Sequence, residues 1–233
     1  MGKILIPSLP ICRATFNQLR TELVAFGVRL SCRINPWKIY KIKMLQKAND
    51  LSVNIGCGPF GETGWINLDI IKAPNLWKRF DVRKSLPLRE NSALRIRCEH
   101  FLEHLDFHDE VPHFLRHCLR CLKKGGILRI VVPDIPKYLA AYQSGNKNEW
   151  KRLGWDLDHM PEGFETQMDI LNHVFRQNGE HRYAYDYRTL ARLLQKVGFS
   201  EVRQMRFGLS SDEALQGDLE NHKNYSLYLE AVK

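Results

Sequence analysis

A chain of 233 residues, 44% of them apolar and 26% charged, is long enough for one large domain and too apolar for a disordered or collagen-like polypeptide. It carries 35 Lys+Arg against 26 Asp+Glu, a formal net charge of +9. No apolar run approaches the ~18 residues that a membrane-spanning helix needs.

The stretch from Met1 to Cys12 holds one lysine and short apolar runs broken by Pro7 and Pro10, a poor secretory signal, and Ile6 breaks the lipidation pattern that Gly2 would begin. Six cysteines in a chain of this length make no disulfide framework and point to a reducing compartment. The expectation is a soluble cytoplasmic protein. Its charge is concentrated: residues 1–50 hold nine bases and two acids, net +7, against +2 for everything after them. A basic leader on a near-neutral body suggests an anionic partner, either a membrane surface or nucleic acid.

Within that leader, Phe16, Leu19, Leu23, Phe26 and Leu30 recur at spacings of three and four, one face of a helix, with Arg13, Arg20 and Arg29 beside it. Pro36 is expected to end the helix, and Trp37 to Met44 then mixes aromatic, aliphatic and Lys residues. Two roles fit. The stripe either packs on the main domain as a cap, or lies in a membrane interface with Trp37 and Tyr40 among headgroups, which would place the protein at the inner face of a membrane.

From Leu51 onward, short β-rich runs (52–55, 65–69, 79–82, 94–98 and 127–132) alternate with helical patterns at 109–123, 135–143 and 187–197. Two further runs, 201–207 and 225–232, are separated by no helix of useful length. This order predicts an α/β fold, a Rossmann-like, seven-stranded, mostly parallel sheet with an antiparallel last strand. The expected organisation is a leader over 1–50 and a domain over 51–233, interrupted by a polar, irregular insertion at about 144–186.

The first strand runs into Asn54-Ile55-Gly56-Cys57-Gly58-Pro59-Phe60-Gly61, which fits G-x-G-x-x-G letter for letter. Pyrophosphate recognition also needs a helix whose N-terminus faces the phosphates. Here the next strand begins near Trp65, and Pro59 and Gly64 are poor helix formers. The turn therefore suits a nucleoside without phosphates better than NAD.

The chain resembles the class I S-adenosylmethionine-dependent methyltransferases, above all a small bacterial branch reading Asn-x-Gly-Cys-Gly and then Gly-Trp-Ile-Asn-x-Asp. Five ordered pieces over about residues 51–207 carry the resemblance: 53–58, 64–69, Asp81-Val82 ahead of 86–88, 101–105 and 122–128. It implies S-adenosylmethionine as cofactor. Gly56 and Gly58 would let the methionine part approach, with Cys57 between them as a packing residue of the cofactor turn and Asn54 standing where many relatives carry an acid for its ammonium. Asp69 would accept the ribose hydroxyls, Asp81 the adenine amine with Val82 beside the ring, and Glu99 and His100 would border the cofactor. For catalysis it implies His181, as a base for a hydroxyl acceptor, and His104. The branch's company suggests O-methylation of a sugar, glycan or small-metabolite hydroxyl, with an RNA-directed methyltransferase using the basic leader as the alternative.

His100-Phe101-Leu102-Glu103-His104 also matches H-x-x-E-H, an inverted zinc-peptidase pattern that would make the protein a hydrolase. It follows a strand directly, where the methyltransferase fold places its cleft, so no metal is assigned. Cys118 and Cys121, a C-x-x-C beside His113 and His117, have no second pair at zinc-ribbon spacing and read as buried hydrophobes of a helix.

Overall fold

A computed structural model describes residues 12–233; the readings made on Met1 to Ile11 lie outside the described residues. A single seven-stranded sheet has the order β3-β2-β1-β4-β5-β7-β6. Its strands are β1 (Leu51–Ile55), β2 (Ile66–Asp69), β3 (Lys78–Arg79), β4 (Ala93–Glu99), β5 (Leu122–Pro133), β6 (Glu201–Met205) and β7 (Ser226–Val232). All neighbours pair in parallel except β7, which lies antiparallel between β5 and β6. This is the architecture that the alternation of runs predicts, including the reversed last strand.

Helices α3 (Glu110–Cys121), α4 (Ile135–Ser144) and α7 (Tyr187–Val197) fall where helical spacing places them. Val111, Phe114, Leu115 and Cys118 bury one face of α3, and Leu190 and Leu194 one face of α7. Asp186 caps α7 by accepting the Thr189 amide at 2.7 Å, and Gly198 ends it in the left-handed region. Cys118 and Cys121 are both buried, and burial pushes their thiols up.

Three local expectations are corrected. Of the run 79–82 only Arg79, with Lys78 before it, pairs as a strand, because Asp81 turns away to meet arginines. β5 begins at Leu122 rather than 127: its register shifts against β4 where Gly125, at φ +76°, takes up the irregularity. The insertion is helical, with α5 (Lys147–Arg152) and α6 (Gln167–Arg176) packing on α4 around Tyr138, Trp150 and Ile170 in a second small core. The missed signal is Ile170, Leu171, Val174 and Phe175, which share one helix face.

Pro36 ends the leader helix as expected, but helical structure does not stop there, because Pro36 opens a second helix. The leader forms α1 (Arg13–Ile34) and α2 (Pro36–Leu45), with Asn35 capping α2 by accepting the Lys38 amide at 3.1 Å. Nor does α1 bury its apolar stripe. Phe16, Leu19, Leu23, Phe26 and Leu30 are 44–71% exposed, while Ala25 and Val28 are buried instead. The helix docks through charge: Arg29 reaches Asp81 at 2.5 Å, Glu22 pairs with Arg83, and Cys32 donates to the Arg79 carbonyl. It also lies against the turn Gln177–Gly179. Among the described residues no helix is long and apolar enough to cross a membrane.

Candidate active site

Strand order reverses between β1 and β4, so a crevice opens outside their carboxyl ends, the position where doubly wound sheets bind ligands. A cavity of about 350 Å³ occupies it. Its floor is the turn after β1, with Asn54, Gly56, Cys57 and Gly58; Arg97, Glu99 and His100 enter from β4. Gly217, Leu219 and His222 close it from the β6–β7 connection.

The two glycines of the turn have different reasons to be glycine. Both have positive φ, +64° at Gly56 and +49° at Gly58. A Cβ on Gly56 would stand 2.6 Å from the Phe101 ring, so this glycine makes room for the segment after β4 rather than for a ligand. A Cβ on Gly58 would meet nothing within 4 Å. That open ground is what an approaching ligand needs.

Asn54 is 4% exposed and donates through Nδ2 to the Phe60 carbonyl at 3.3 Å, which leaves its side-chain carbonyl as an acceptor. Cys57 is buried, and burial, with the Asp69 charge, pushes its thiol up to about 11, so it is a neutral packing group. Asp69 ends β2 and accepts the Gly58 amide through Oδ2 and the Ile71 amide through Oδ1, both at 2.9 Å. A carboxylate offers about four lone-pair sites, so two remain for hydroxyls.

Asp69 meets the turn through the Gly58 amide without lining the cavity, and Asp81 and Val82 do not line it either. The Asp81 side chain is fully buried and engaged by Arg83 at 2.9 and 3.1 Å and by Arg29 at 2.5 Å. Burial alone would raise its carboxyl, but the hydrogen bonds and charge of Arg83, with Arg29, hold it below the ordinary range. Val82 is buried in the main core. With α1 docked, the carboxylate expected to read an adenine amine is already satisfied.

A second cavity, about 540 Å³, adjoins the first, and His100 and His222 line both. His222 donates through Nδ1 to Glu99 Oε1 at 2.8 Å and its ring lies 3.9 Å from that of His100. Glu99 is thereby fixed at the border rather than free. His100 sits at φ +48°, an uncommon conformation for a side-chain-bearing residue. Its Nε2 lies 2.8 Å from the Ser226 hydroxyl.

Glu103, His104 and His181 also line the second cavity, with Glu103 Oε1 3.1 Å from Nδ1 of His100. A 3₁₀ turn, Leu102–His104, carries the first two. The Glu103 carbonyl accepts the amides of Arg182 and Tyr183 at 2.8 and 3.3 Å, which fastens the segment bearing His181 against it. His181 Nδ1 lies 2.7 Å from the Val174 carbonyl and His104 Nδ1 3.1 Å from the Glu180 carbonyl. A carbonyl only accepts, so each Nδ1 carries a proton, and in the neutral form of either ring the lone pair is on Nε2. Burial moves His181 below the ordinary histidine range. His100 and His104 share no helix face, so H-x-x-E-H does not form the zinc-peptidase arrangement.

Glu103, His222, Tyr225 and Trp155 were not assigned to the methyltransferase site from sequence. His222 comes from a connection without periodic signal and Tyr225 from the start of the last run, and only the topology of β7 brings them to the ends of β4 and β5. The loop is held by Arg129, fully buried, which donates to Asp218 at 2.5 and 2.7 Å and to Glu230 at 2.9 Å.

Sheet order, glycine turn and paired cavities place a ligand cleft at the carboxyl ends of a doubly wound α/β sheet. A family model described as methyltransferase domain matches residues 70–204, a span that holds Asp81, Glu99, His104 and His181 but starts after the glycine turn. The chain belongs to this methyltransferase-domain family, and S-adenosylmethionine is its cofactor. No curated protein sequence matches it. Among solved structures, a SAM-dependent methyltransferase from Archaeoglobus fulgidus is 15% identical, with 91% of this chain and 99% of that one covered and a TM-score of 0.49. A Burkholderia thailandensis 1,6-didemethyltoxoflavin-N1-methyltransferase is 14% identical over 97% and 92% of the two chains, with a TM-score of 0.46. The assignment rests on the family match and not on these likenesses. The hydrolase alternative falls with it.

Proposed function

We propose that the enzyme methylates a hydroxyl of a sugar, glycan or small metabolite bound in the 540 Å³ cavity, with the donor in the 350 Å³ cavity beside it. The observation that carries this is the shared wall: His100 and His222 face both spaces, so a methyl group at that border is within reach of either. The donor supplies an electrophilic methyl on a sulfonium. Around it, the Asn54 carbonyl would accept from the ammonium, Gly58 would admit the chain, and Asp69 would use its remaining lone pairs for the ribose hydroxyls. On the acceptor side, Nε2 of His181, with His104 next to it at 4.9 Å between rings, would take the hydroxyl proton. A hydroxyl needs that help at neutral pH, where an amine does not.

The test is transfer of labelled methyl to a panel of glycans, sugar nucleotides and RNA, with the donor's affinity measured alongside. His181→Ala should lower kcat/KM for a hydroxyl acceptor 10²- to 10⁴-fold and leave donor affinity unchanged. Methylation confined to amines, or equal activity in the variant, would overturn the reading. Methylation of RNA alone would favour the nucleic-acid alternative.

The leader supports a location at the inner face of an anionic membrane. Its exposed Phe16, Leu19, Leu23, Phe26 and Leu30, followed by exposed Trp37 and Tyr40, form an apolar surface among basic residues. Nucleic acid would use the charge but not the apolar stripe. Because α1 lies against the turn 177–179, whose Gln177 lines the acceptor cavity, a leader on a membrane would hold that cavity near lipid-linked glycans. This treats 1–50 as a unit distinct in role from the domain at 51–233.

A further inference from the structure

We propose that Glu103, His104 and His181 form a binding site for a divalent first-row transition ion, and that the ion recognises acceptors with two adjacent oxygens. The potential ligand atoms of the three residues all lie within 4.8 Å of one another. Ligands about 2.1 Å from a tetrahedral ion are about 3.4 Å apart, so small side-chain movements complete the set.

Two further observations point to an ion. Glu103 is 1% exposed, yet Oε2 of its carboxylate has no hydrogen-bond partner, and Oε1 faces Nδ1 of His100 at 3.1 Å. A buried carboxylate in this state lacks the partners that such groups nearly always have, and a cation in the adjoining cavity supplies them. The two imidazoles, meanwhile, are prepared as ligands. Each ties its Nδ1 proton to a backbone carbonyl, which fixes the tautomer and offers Nε2, the outer-shell arrangement typical of metal-bound histidine.

One carboxylate and two imidazoles leave one position open on a four-coordinate ion and two when it expands to five-coordinate. A vicinal diol, or a hydroxyl next to a carboxylate, would fill the two by chelation. Coordination lowers the hydroxyl's pKa, and its proton leaves to water or buffer. The oxygen then forms a bond to the methyl carbon while the carbon–sulfur bond breaks, its electron pair remaining on sulfur, and the ion keeps its charge. In the loaded enzyme His181 is thus a ligand, and the ion replaces it as the group that makes the hydroxyl acidic. The ion's use in methyl transfer rests on the methyltransferase reading of the cleft; its binding does not.

The experiment uses full-length protein stripped with a chelator and titrated with Co²⁺, followed by its visible absorption, and with Zn²⁺ and Mn²⁺ by calorimetry. Donor binding to the same samples is measured alongside. One equivalent of ion should bind, and it should raise the Tm. Glu103→Gln, His104→Ala and His181→Ala should each weaken binding at least tenfold, while His173→Ala, altered in the same cavity but outside the trio, should not. Should Glu103→Gln fail to fold, the half-exposed His104 provides the decisive variant. Absence of saturable binding by the wild type, or equal binding by His104→Ala and His181→Ala, overturns the site. Ion binding lost with donor binding intact refutes the metal alone, whereas donor binding absent from an ion-binding protein refutes the methyltransferase reading.

Discussion

Gly56 and Gly58 are indistinguishable in sequence and opposite in consequence. Gly58→Val places its side chain where nothing stands, so stability should fall only by the cost of a positive φ, about 1–2 kcal/mol, while donor affinity drops at least tenfold. Gly56→Ala forces the Phe101 ring to move and should cost about 1–3 kcal/mol more than that in stability. Urea unfolding and donor calorimetry on both variants check the split, which fails if they behave alike. Arg129 gives a third case. Its charge is fully buried, and Asp218 and Glu230 depend on it. Arg129→Leu should destabilise by ~3–5 kcal/mol by leaving two carboxylates unpaired, and should make the loop after β6 sensitive to protease. Stability within ~1 kcal/mol of wild type would contradict this. At this scale sequence reveals residue types but not their partners. Asp81 reads as a strand-end acid open to ligand, and only the fold shows two arginines upon it.

At the scale of elements, α1 illustrates how period and burial can part company. Its three-and-four spacing is correct as a helix signal, but the stripe is exposed and the contact is ionic. That contact is pH-dependent in a defined direction. Asp81 is held below its ordinary value although burial opposes it, and Glu22 is lowered by its hydrogen bond to Arg83 against a smaller cost of burial. Acids depressed in the folded state stabilise it above their unfolded values, and the contribution is lost as pH falls through the folded ones. The docking of α1 should therefore be complete at neutral pH and weaken below about pH 4. Amide exchange in α1, corrected for its intrinsic pH dependence, should rise there sooner than exchange in α3. Arg29→Ala should make α1 exchange faster at pH 7. Unchanged protection in both experiments would show that Ala25 and Val28 suffice.

For the molecule as a whole, the alternation of strands and helices from Leu51 was legible because parallel strands and amphipathic helices write different periods. The helical insertion was less so, since its apolar residues serve a small separate core around Trp150. The candidate site was legible where it lies on strand ends, at Asn54 to Gly58 and Glu99 to His104. It was illegible where the chain returns from afar, as at His222. The leader's role is tested at this scale. Wild type should bind vesicles containing anionic lipid at low salt and lose most of that binding at high salt, as about 1 kcal/mol per basic residue near the surface is screened. A variant lacking residues 1–45 should not bind at either salt. Equal vesicle binding by both forms would exclude the leader as the anchor.

The place of β7 has a consequence for how the chain can be made. β6 has no strand to pair with until β7 is present, because β7 stands between it and β5. Arg129 meets its two acidic partners 89 and 101 residues later in the chain. A nascent polypeptide emerging from a ribosome can thus assemble β1 to β5, but it must keep a charged guanidinium in water and leave one side of β5 open throughout the synthesis of the insertion, α7 and β6. Final closure is a late, long-range event, the kind that proceeds slowly and exposes strand edges meanwhile. Chains stalled before Ser226 should be digested readily from β6 onward, with the resistant fragment ending earlier, and release of the last strand should seal the sheet and the loop that roofs the donor cavity in one step.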